Sequence, residues 1–225
     1  MQSWGKRYGQ ITKEVFFELP TICVASEGSE RQQEVIKMNT KTKKIVGIGL
    51  FTAIVIALQL LGGAIRFGVF SISLVLIPIV VGAAVYGWKA GGWLGFVFGL
   101  AVLLSGDAGA FLAVNVPGTI LVVLLKGTAC GLGAGAVYLA LRNLNKWLAV
   151  ICAAIVCPII NTGIFLIGCY TFFLPTVTEW GKAVGYENVG AYLIFGMVGI
   201  NFLLEIGINL LLAPVITRLI RIGQH

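Results

Sequence analysis

The chain has 225 residues, of which 58% are hydrophobic and 11% charged, with a formal net charge of +7 and a mean hydropathy of +0.97. Because a soluble globular domain carries about 25% charged residues, this composition excludes a soluble enzyme and indicates an all-α integral membrane protein. The basic residues flank apolar segments, so they report orientation in the bilayer rather than a nucleic-acid-binding surface.

Residues 1–37 differ in composition from the rest of the chain. Their five basic and five acidic side chains cancel, so the whole net charge arises from residue 38 onward. Gln33-Glu34-Val35 can be encoded by a purine-rich ribosome-binding sequence a short distance before the Met38 codon. We expect Met38 to be the true start, residues 1–37 to be a non-native leader and residues 38–225 to form the membrane domain. A disordered tail is the alternative for residues 1–37.

The apolar segments after Met38 predict six transmembrane helices. A span needs about 20 residues, and the second and third segments are short. Glycines between these two segments predict a tight hairpin at residues 86–92. The predicted helices are approximately Ile45–Leu61, Ile72–Tyr86, Gly92–Leu104, Pro117–Leu141, Trp147–Leu174 and Val189–Ile220.

Charge alternates between the two sets of loops. By the positive-inside rule, the set that carries only basic residues is cytoplasmic. Both chain termini fall in that set, as an even number of spans requires. The basic set comprises Lys41, Lys43, Lys44, Lys89, Arg142, Lys146, Arg218 and Arg221, and the mixed set comprises Arg66, Asp107, Glu179, Lys182 and Glu187.

Small residues recur at a spacing of four in three of the predicted spans. Gly49, Ala53 and Ala57 share one face of the first span, where another helix can approach closely. That neighbour is either a helix of this chain or another subunit. Close packing is also predicted between the third and fourth spans from Gly91, Gly92, Gly95, Gly99, Gly127, Gly131 and Gly135.

Two charged residues, Lys126 and Glu205, lie within the fourth and sixth predicted spans. A charge at membrane depth costs about 3 kcal/mol on insertion scales, so it usually faces a partner, a substrate or a water-filled cavity. Asn201 and Asn209 share the helix face of Glu205 because they lie four residues to either side of it.

Further polar residues complete the candidate binding site. Asn161 lies at a depth similar to that of Lys126, and Asn115 lies at the outer mouth before the fourth span. The arrangement indicates either a structural pair between Lys126 and Glu205 or a small-molecule pocket open to the outside. The two interpretations are compatible, since a charged pair can line a cavity.

Histidine and cysteine give no sign of catalysis or metal binding. The single histidine is the last residue, and the five cysteines form no CxxC pair. We interpret the cysteines in and beside the apolar segments as small core residues. The sequence therefore predicts no metal site, no cofactor and no enzymatic activity.

Three motifs resemble one known family. They are Ala53-x-x-x-Ala57 in the first span, the pair Ile77-Pro78-Ile79-Val80-Val81-Gly82-Ala83 and Ala90-Gly91-Gly92-Trp93-Leu94-Gly95-Phe96-Val97-Phe98-Gly99, and Asn115-Val116-Pro117-Gly118-Thr119 before a glycine-rich helix. With six spans and both ends inside, the chain from about Met38 to Gly223 resembles the substrate-binding S component of energy-coupling-factor (ECF) vitamin transporters.

The resemblance implies a six-helix subunit in the bacterial plasma membrane that binds a vitamin with high affinity near its outer face. It also implies partnership with a membrane coupling protein and two cytoplasmic ATPases, which hydrolyse the ATP. By this resemblance Gly49, Ala53 and Ala57 form the interface with the coupling protein. The substrate-binding candidates by position are Asn115, Lys126, Asn161, Asn201 and Glu205.

The substrate and the transport mode remain open at this stage. A carboxylate held by Lys126 through charge-assisted hydrogen bonds slightly favours pantothenate over riboflavin. The main alternative is a self-sufficient proton-coupled secondary transporter that uses Glu205. Such transporters usually show internal repeats, and the sequence contains no convincing repeat. A purely structural subunit with paired buried charges is a further alternative.

Overall fold

The computed structural model describes residues 41–62, 66–67, 70–71 and 74–223, without the side chains of 66–71, 200, 201 and 219–223. The predicted leader, residues 1–37, lies outside the described residues. The chain divides into two compact units, Met1–Gly47 and Ile48–His225. The tertiary contacts discussed below all lie within the second unit.

The described part consists of α-helices and one very short β-hairpin. Strand β1 (Arg66–Phe67) pairs antiparallel with β2 (Phe70–Ser71), an element that the apolar pattern of the sequence does not predict. The helices are α1 (Lys41–Gly62), α2 (Leu76–Tyr86), α3 (Trp88–Leu104), α4 (Gly109–Leu112), α5 (Val116–Leu141), α6 (Lys146–Phe172), α7 (Leu174–Ala183), α8 (Val189–Ala191), a π-helical segment (Tyr192–Val198), α9 (Gly199–Leu211) and α10 (Ala213–Gly223).

Three described helices, α1, α5 and α6, are long and apolar enough to cross a membrane. A fourth candidate span results if Val189–Val198 and Phe202–Leu211, which meet at a 40° bend, are counted together. Helices α2 and α3 are apolar but shorter, with 11 and 17 residues. The structure therefore shows a helical membrane protein with three or four helices of spanning length in its described part, where the sequence predicts six spans.

The predicted hairpin between the second and third apolar segments is confirmed. Gly87 alone separates α2 from α3, and its φ of 98° lies in the left-handed region that favours glycine. The amide of Gly87 still donates to the carbonyl oxygen of Ala83, which closes the end of α2. A single residue therefore reverses the chain.

Helices α3 and α5 pack with their backbones in close contact, as the glycine spacing predicts. A methyl group added at Gly95 would overlap the carbonyl oxygen of Gly127, and one added at Gly91 would overlap that of Gly131. Because any side chain at these positions would push the helices apart, the glycines determine how closely α3 and α5 approach.

We expect Gly95→Ala to lower the thermal stability of the purified protein. The added methyl group meets backbone, which cannot rotate away, and overpacking of this kind costs about 1–3 kcal/mol. Gly163→Ala is the matched control, since a Cβ added at Gly163 meets no atom within 4 Å apart from its chain neighbours and the backbone of its own helix. Thermal unfolding in detergent checks the prediction, and equal midpoints for the two variants would contradict it.

The prediction of one continuous helix over the last span, Val189–Ile220, is wrong. It is divided into α8, the π-helical segment, α9 and α10. Helix α9 ends at Leu211 and Pro214 follows in the first turn of α10. Proline has no amide hydrogen and clashes with the carbonyl one turn earlier, so it ends the helix that precedes it.

Helix α6, which corresponds to the fifth predicted span, ends before the predicted end at Leu174, again because a proline follows. Helix α6 stops at Phe172, and Phe173 has a non-helical φ of −127°. Pro175 lies in the first turn of α7, where proline is well tolerated because its missing amide hydrogen would have no partner there. The proline thus separates the long α6 from the short α7.

The main hydrophobic core lies among α1, α2, α3, α5, α6 and α10. It includes the buried free thiols of Cys130 and Cys157, and Cys169 lies in a second cluster with Phe173, Val177 and Leu193. The interpretation of these cysteines as small core residues is confirmed.

Candidate functional site

A cavity of about 230 Å³ opens within the helices of the second unit. Residues of α1, α3, α4, α5, α6 and α9 contribute to its wall, together with the π-helical segment. Its polar and charged lining consists of Gln59, Asp107, Thr119, Lys126, Asn161, Thr162 and Glu205. Its apolar lining consists of Phe98, Val102, Ala108, Phe111, Val122, Val123, Phe165, Phe173, Met197 and Val198.

Lys126 reaches the cavity from the inward face of α5. The buried residues Val122 and Cys130 lie one turn before and one turn after it, which orients this stripe of the helix toward the protein interior. The Lys126 Nζ lies 5.3 Å from the centroid of the Phe165 ring, a distance at which the ring face attracts a cation. The negative charge of Glu205 also attracts the ammonium.

Asn161 and Glu205 supply buried oxygen atoms to the same cavity. Asn161 lies on α6 and is 6% exposed, and Glu205 lies on α9 and is 4% exposed. Within the described part of the chain, Asn161 Oδ1 has no hydrogen-bond partner. A buried acceptor left in that state costs about 1–3 kcal/mol, so this oxygen is suited to a donor that enters the cavity.

A hydrogen-bonded group joins α1 to the loop after α3 on another part of the cavity wall. Gln59 Nε2 donates to Asp107 Oδ2 over 2.6 Å, and Ser105 Oγ donates to the same oxygen over 3.1 Å. Thr119, which also lines the cavity, lies seven residues before Lys126 on α5, about 10 Å along the helix axis. The cavity thus has polar groups at two levels.

An aromatic cluster closes one side of the cavity. Phe111 meets Phe165, Phe173 and Trp180 edge to face, with ring centroids 5.0–5.5 Å apart. Phe111, Phe165 and Phe173 line the cavity directly. Rings in this geometry attract one another and exclude water, so the charged groups lie next to an apolar wall.

The comparison with protein families agrees with this architecture. Residues 43–217 match the family model of the ECF transporter, substrate-specific component. The chain belongs to this family. No curated protein and no solved structure matches the chain. The chain is therefore a multi-pass membrane protein that serves an ECF transporter as its substrate-binding subunit.

Three of the five predicted binding residues of this S component, Lys126, Asn161 and Glu205, line one cavity. Asn115 is not among its described lining residues. It is instead the N-cap of α5, where its Oδ1 accepts a hydrogen bond from the Gly118 amide over 3.1 Å. The side chain of Asn201 lies outside the described residues.

Several lining residues of the S component were not predicted as binding residues. Gln59 is a polar side chain four residues after the buried Val55, in a helix whose residues from Ile45 onward are otherwise apolar apart from Thr52, and this polarity was a usable signal. Phe165 gives no such signal, since it is one of many apolar residues of α6. Its position one turn after Asn161 puts it on the same face.

The first helix of the S component has two different sides. Phe51 and Val55 pack into the protein, where the Phe51 ring meets the Tyr86 ring edge to face at 5.9 Å. Gly49, Ala53 and Ala57 are exposed on the other side. The small-residue face is therefore open for another protein or for lipid.

Proposed function

We propose that this S component binds a water-soluble vitamin, pantothenate in preference to riboflavin, and passes it to an ATP-driven importer in the bacterial plasma membrane. The supporting observation is the cavity that Lys126, Asn161 and Glu205 share beside an aromatic wall. Charged groups at membrane depth are costly and usually mark a substrate or ion site, so their presence in this cavity supports the binding of a polar nutrient.

The size and charge of the cavity support pantothenate over riboflavin. Its volume of about 230 Å³ lies below the usual range for ligand pockets, about 300–1,000 Å³. This suits a small flexible acid better than a fused three-ring system. The aromatic rings around Phe111 meet at interplanar angles of 71–88°, so they do not form a parallel slot for a flat ring.

We further propose six spans with both termini in the cytoplasm. The spans are α1, α2, α3, α5, α6 and the bent unit that contains α9. The loop charges support this orientation because the set that carries only basic residues belongs on the cytoplasmic side. The short α2 and α3 cross as a hairpin in this arrangement.

The partners in the proposed importer are a membrane coupling protein and two cytoplasmic ATPases. The exposed face of Gly49, Ala53 and Ala57 on α1 is the proposed contact with the coupling protein. Small side chains allow a partner helix to approach closely in a membrane, where packing rather than hydrophobicity drives association.

Ligand binding by the purified protein tests the proposal. The S component is purified in detergent, its bound small molecules are identified by mass spectrometry, and the ligand-free protein is titrated with pantothenate and riboflavin. We expect tight pantothenate binding and weaker riboflavin binding. Binding of neither vitamin would contradict the proposal. Uptake by the S component alone, in liposomes with a proton gradient, would instead support the secondary transporter that uses Glu205.

A further inference from the structure

Lys126 and Asn161 present opposite hydrogen-bonding groups to the cavity, a cationic donor and a neutral acceptor. The Lys126 ammonium lines the cavity and lies over the ring of Phe165, and its N–H groups are hydrogen-bond donors for an incoming acceptor. Asn161 Oδ1, on a side chain that is 6% exposed, is an acceptor without a donor among the described residues. A ligand that satisfies both groups must bring an anion for the first and a hydrogen-bond donor for the second.

We infer that the cavity selects a small acid that carries an N–H or O–H donor near its anionic group, with the anion bound by Lys126 and the donor bound by Asn161. This inference rests on the proposed function and assigns a distinct task to each residue. Hydroxy acids and amide-linked acids belong to this class. Simple fatty acids lack the donor, and neutral alcohols lack the anion.

The described side chains around the cavity do not donate a hydrogen bond to Asn161 Oδ1. An ionised Glu205 carboxylate only accepts hydrogen bonds and so cannot satisfy a carbonyl oxygen. The backbone amides of α6 donate within their own helix. A site built around a buried acceptor rejects a ligand that lacks the matching donor, because the acceptor then stays desolvated and unpaired.

Three probes separate the two tasks. Pantothenate carries a carboxylate, an amide N–H and two hydroxyls at the end remote from the carboxylate, so the amide N–H is its donor near the anion. Pantothenol replaces the carboxylate with an alcohol, and an ester analogue replaces the amide N–H with an oxygen atom while keeping both hydroxyls. Affinities are measured by calorimetry for the unaltered protein, Asn161→Leu and Lys126→Met. In the unaltered protein we expect pantothenate to bind about tenfold or more tightly than either analogue, the effect of leaving one buried polar group unsatisfied.

The variants should lose selectivity separately. In Asn161→Leu we expect amide and ester to bind within about twofold of each other, since the acceptor is gone, while the preference for acid over alcohol persists. In Lys126→Met we expect the preference for acid over alcohol to be lost, while the preference for amide over ester persists. If Asn161 had only a structural role, its replacement would lower the affinities for all three probes together and leave their ratios unchanged. If Asn161→Leu does not fold, Asn161→Ala replaces it.

The outcomes distinguish this inference from the proposed function. Pantothenate binding with no amide–ester discrimination in the unaltered protein would overturn the inference and leave vitamin binding intact. Binding of riboflavin without pantothenate would do the same, because riboflavin carries no anion. Binding of neither vitamin would overturn both proposals.

Discussion

Lys126→Met should lower the affinity for pantothenate by roughly 30-fold to several thousand-fold. Removal of one partner from a buried, hydrogen-bonded charge pair costs about 2–5 kcal/mol, and each 1.4 kcal/mol corresponds to a tenfold change in affinity. Methionine keeps most of the length of the lysine side chain and its contact with Phe165, so the charge is the main difference. Titration calorimetry on the ligand-free protein measures the loss.

The stability of the Lys126→Met variant needs its own measurement. Removal of the ammonium leaves the nearby buried Glu205 carboxylate without that counter-charge, and breaking a buried pair in this way costs about 3–5 kcal/mol. The thermal midpoint without ligand is therefore expected to fall and to recover when Glu205→Gln is added. Lys182→Met is the matched control, because Lys182 is exposed on α7 and does not line the cavity. Equal affinities for Lys126→Met and Lys182→Met would show that Lys126 does not bind the ligand.

A double variant separates ligand binding from a structural charge pair. If Lys126 serves only to neutralise Glu205, then Lys126→Met combined with Glu205→Gln removes both charges and should restore affinity to that of Glu205→Gln alone. If Lys126 binds the anion of the ligand, the affinity of the double variant should stay well below that of Glu205→Gln alone. We expect the second result.

Part of the polar lining of the cavity could be predicted from the sequence because polar side chains are conspicuous within apolar membrane segments. Lys126, Asn161 and Glu205 interrupt long apolar segments, and helix geometry places them at similar depth. The glycine hairpin and the contact between α3 and α5 were equally accessible, since glycine leaves room for close backbone approach.

Local and long-range details were harder to predict. Asn115 followed by Val116 and Pro117 fits an N-cap with proline in the first turn, and the structure gives Asn115 that capping hydrogen bond. The bond between Gln59 and Asp107 joins residues 48 positions apart, which no periodicity reveals. The interruption before α10 depends on Pro214, which lies within an otherwise continuous apolar segment.

Ala57→Trp should prevent assembly with the coupling protein while leaving vitamin affinity within about twofold. Ala57 is exposed on the side of α1 opposite Val55, which packs into the core. A bulky side chain at a small-residue contact keeps the two helices apart, and packing contacts supply most of the affinity between membrane helices. Because Ala57 does not line the cavity, the ligand site should keep its geometry.

Co-purification of the coupling protein and ATPases with the tagged S component measures assembly, and calorimetry on the separate S component measures affinity. Ala136→Trp is the matched control, since Ala136 is an exposed alanine on α5. We expect this control to retain both the partners and the ligand. Full assembly in Ala57→Trp and also in Ala53→Trp would exclude this face of α1 as the docking surface. Loss of ligand binding together with assembly would show instead that the substitution disturbs the cavity through Gln59 on the same helix.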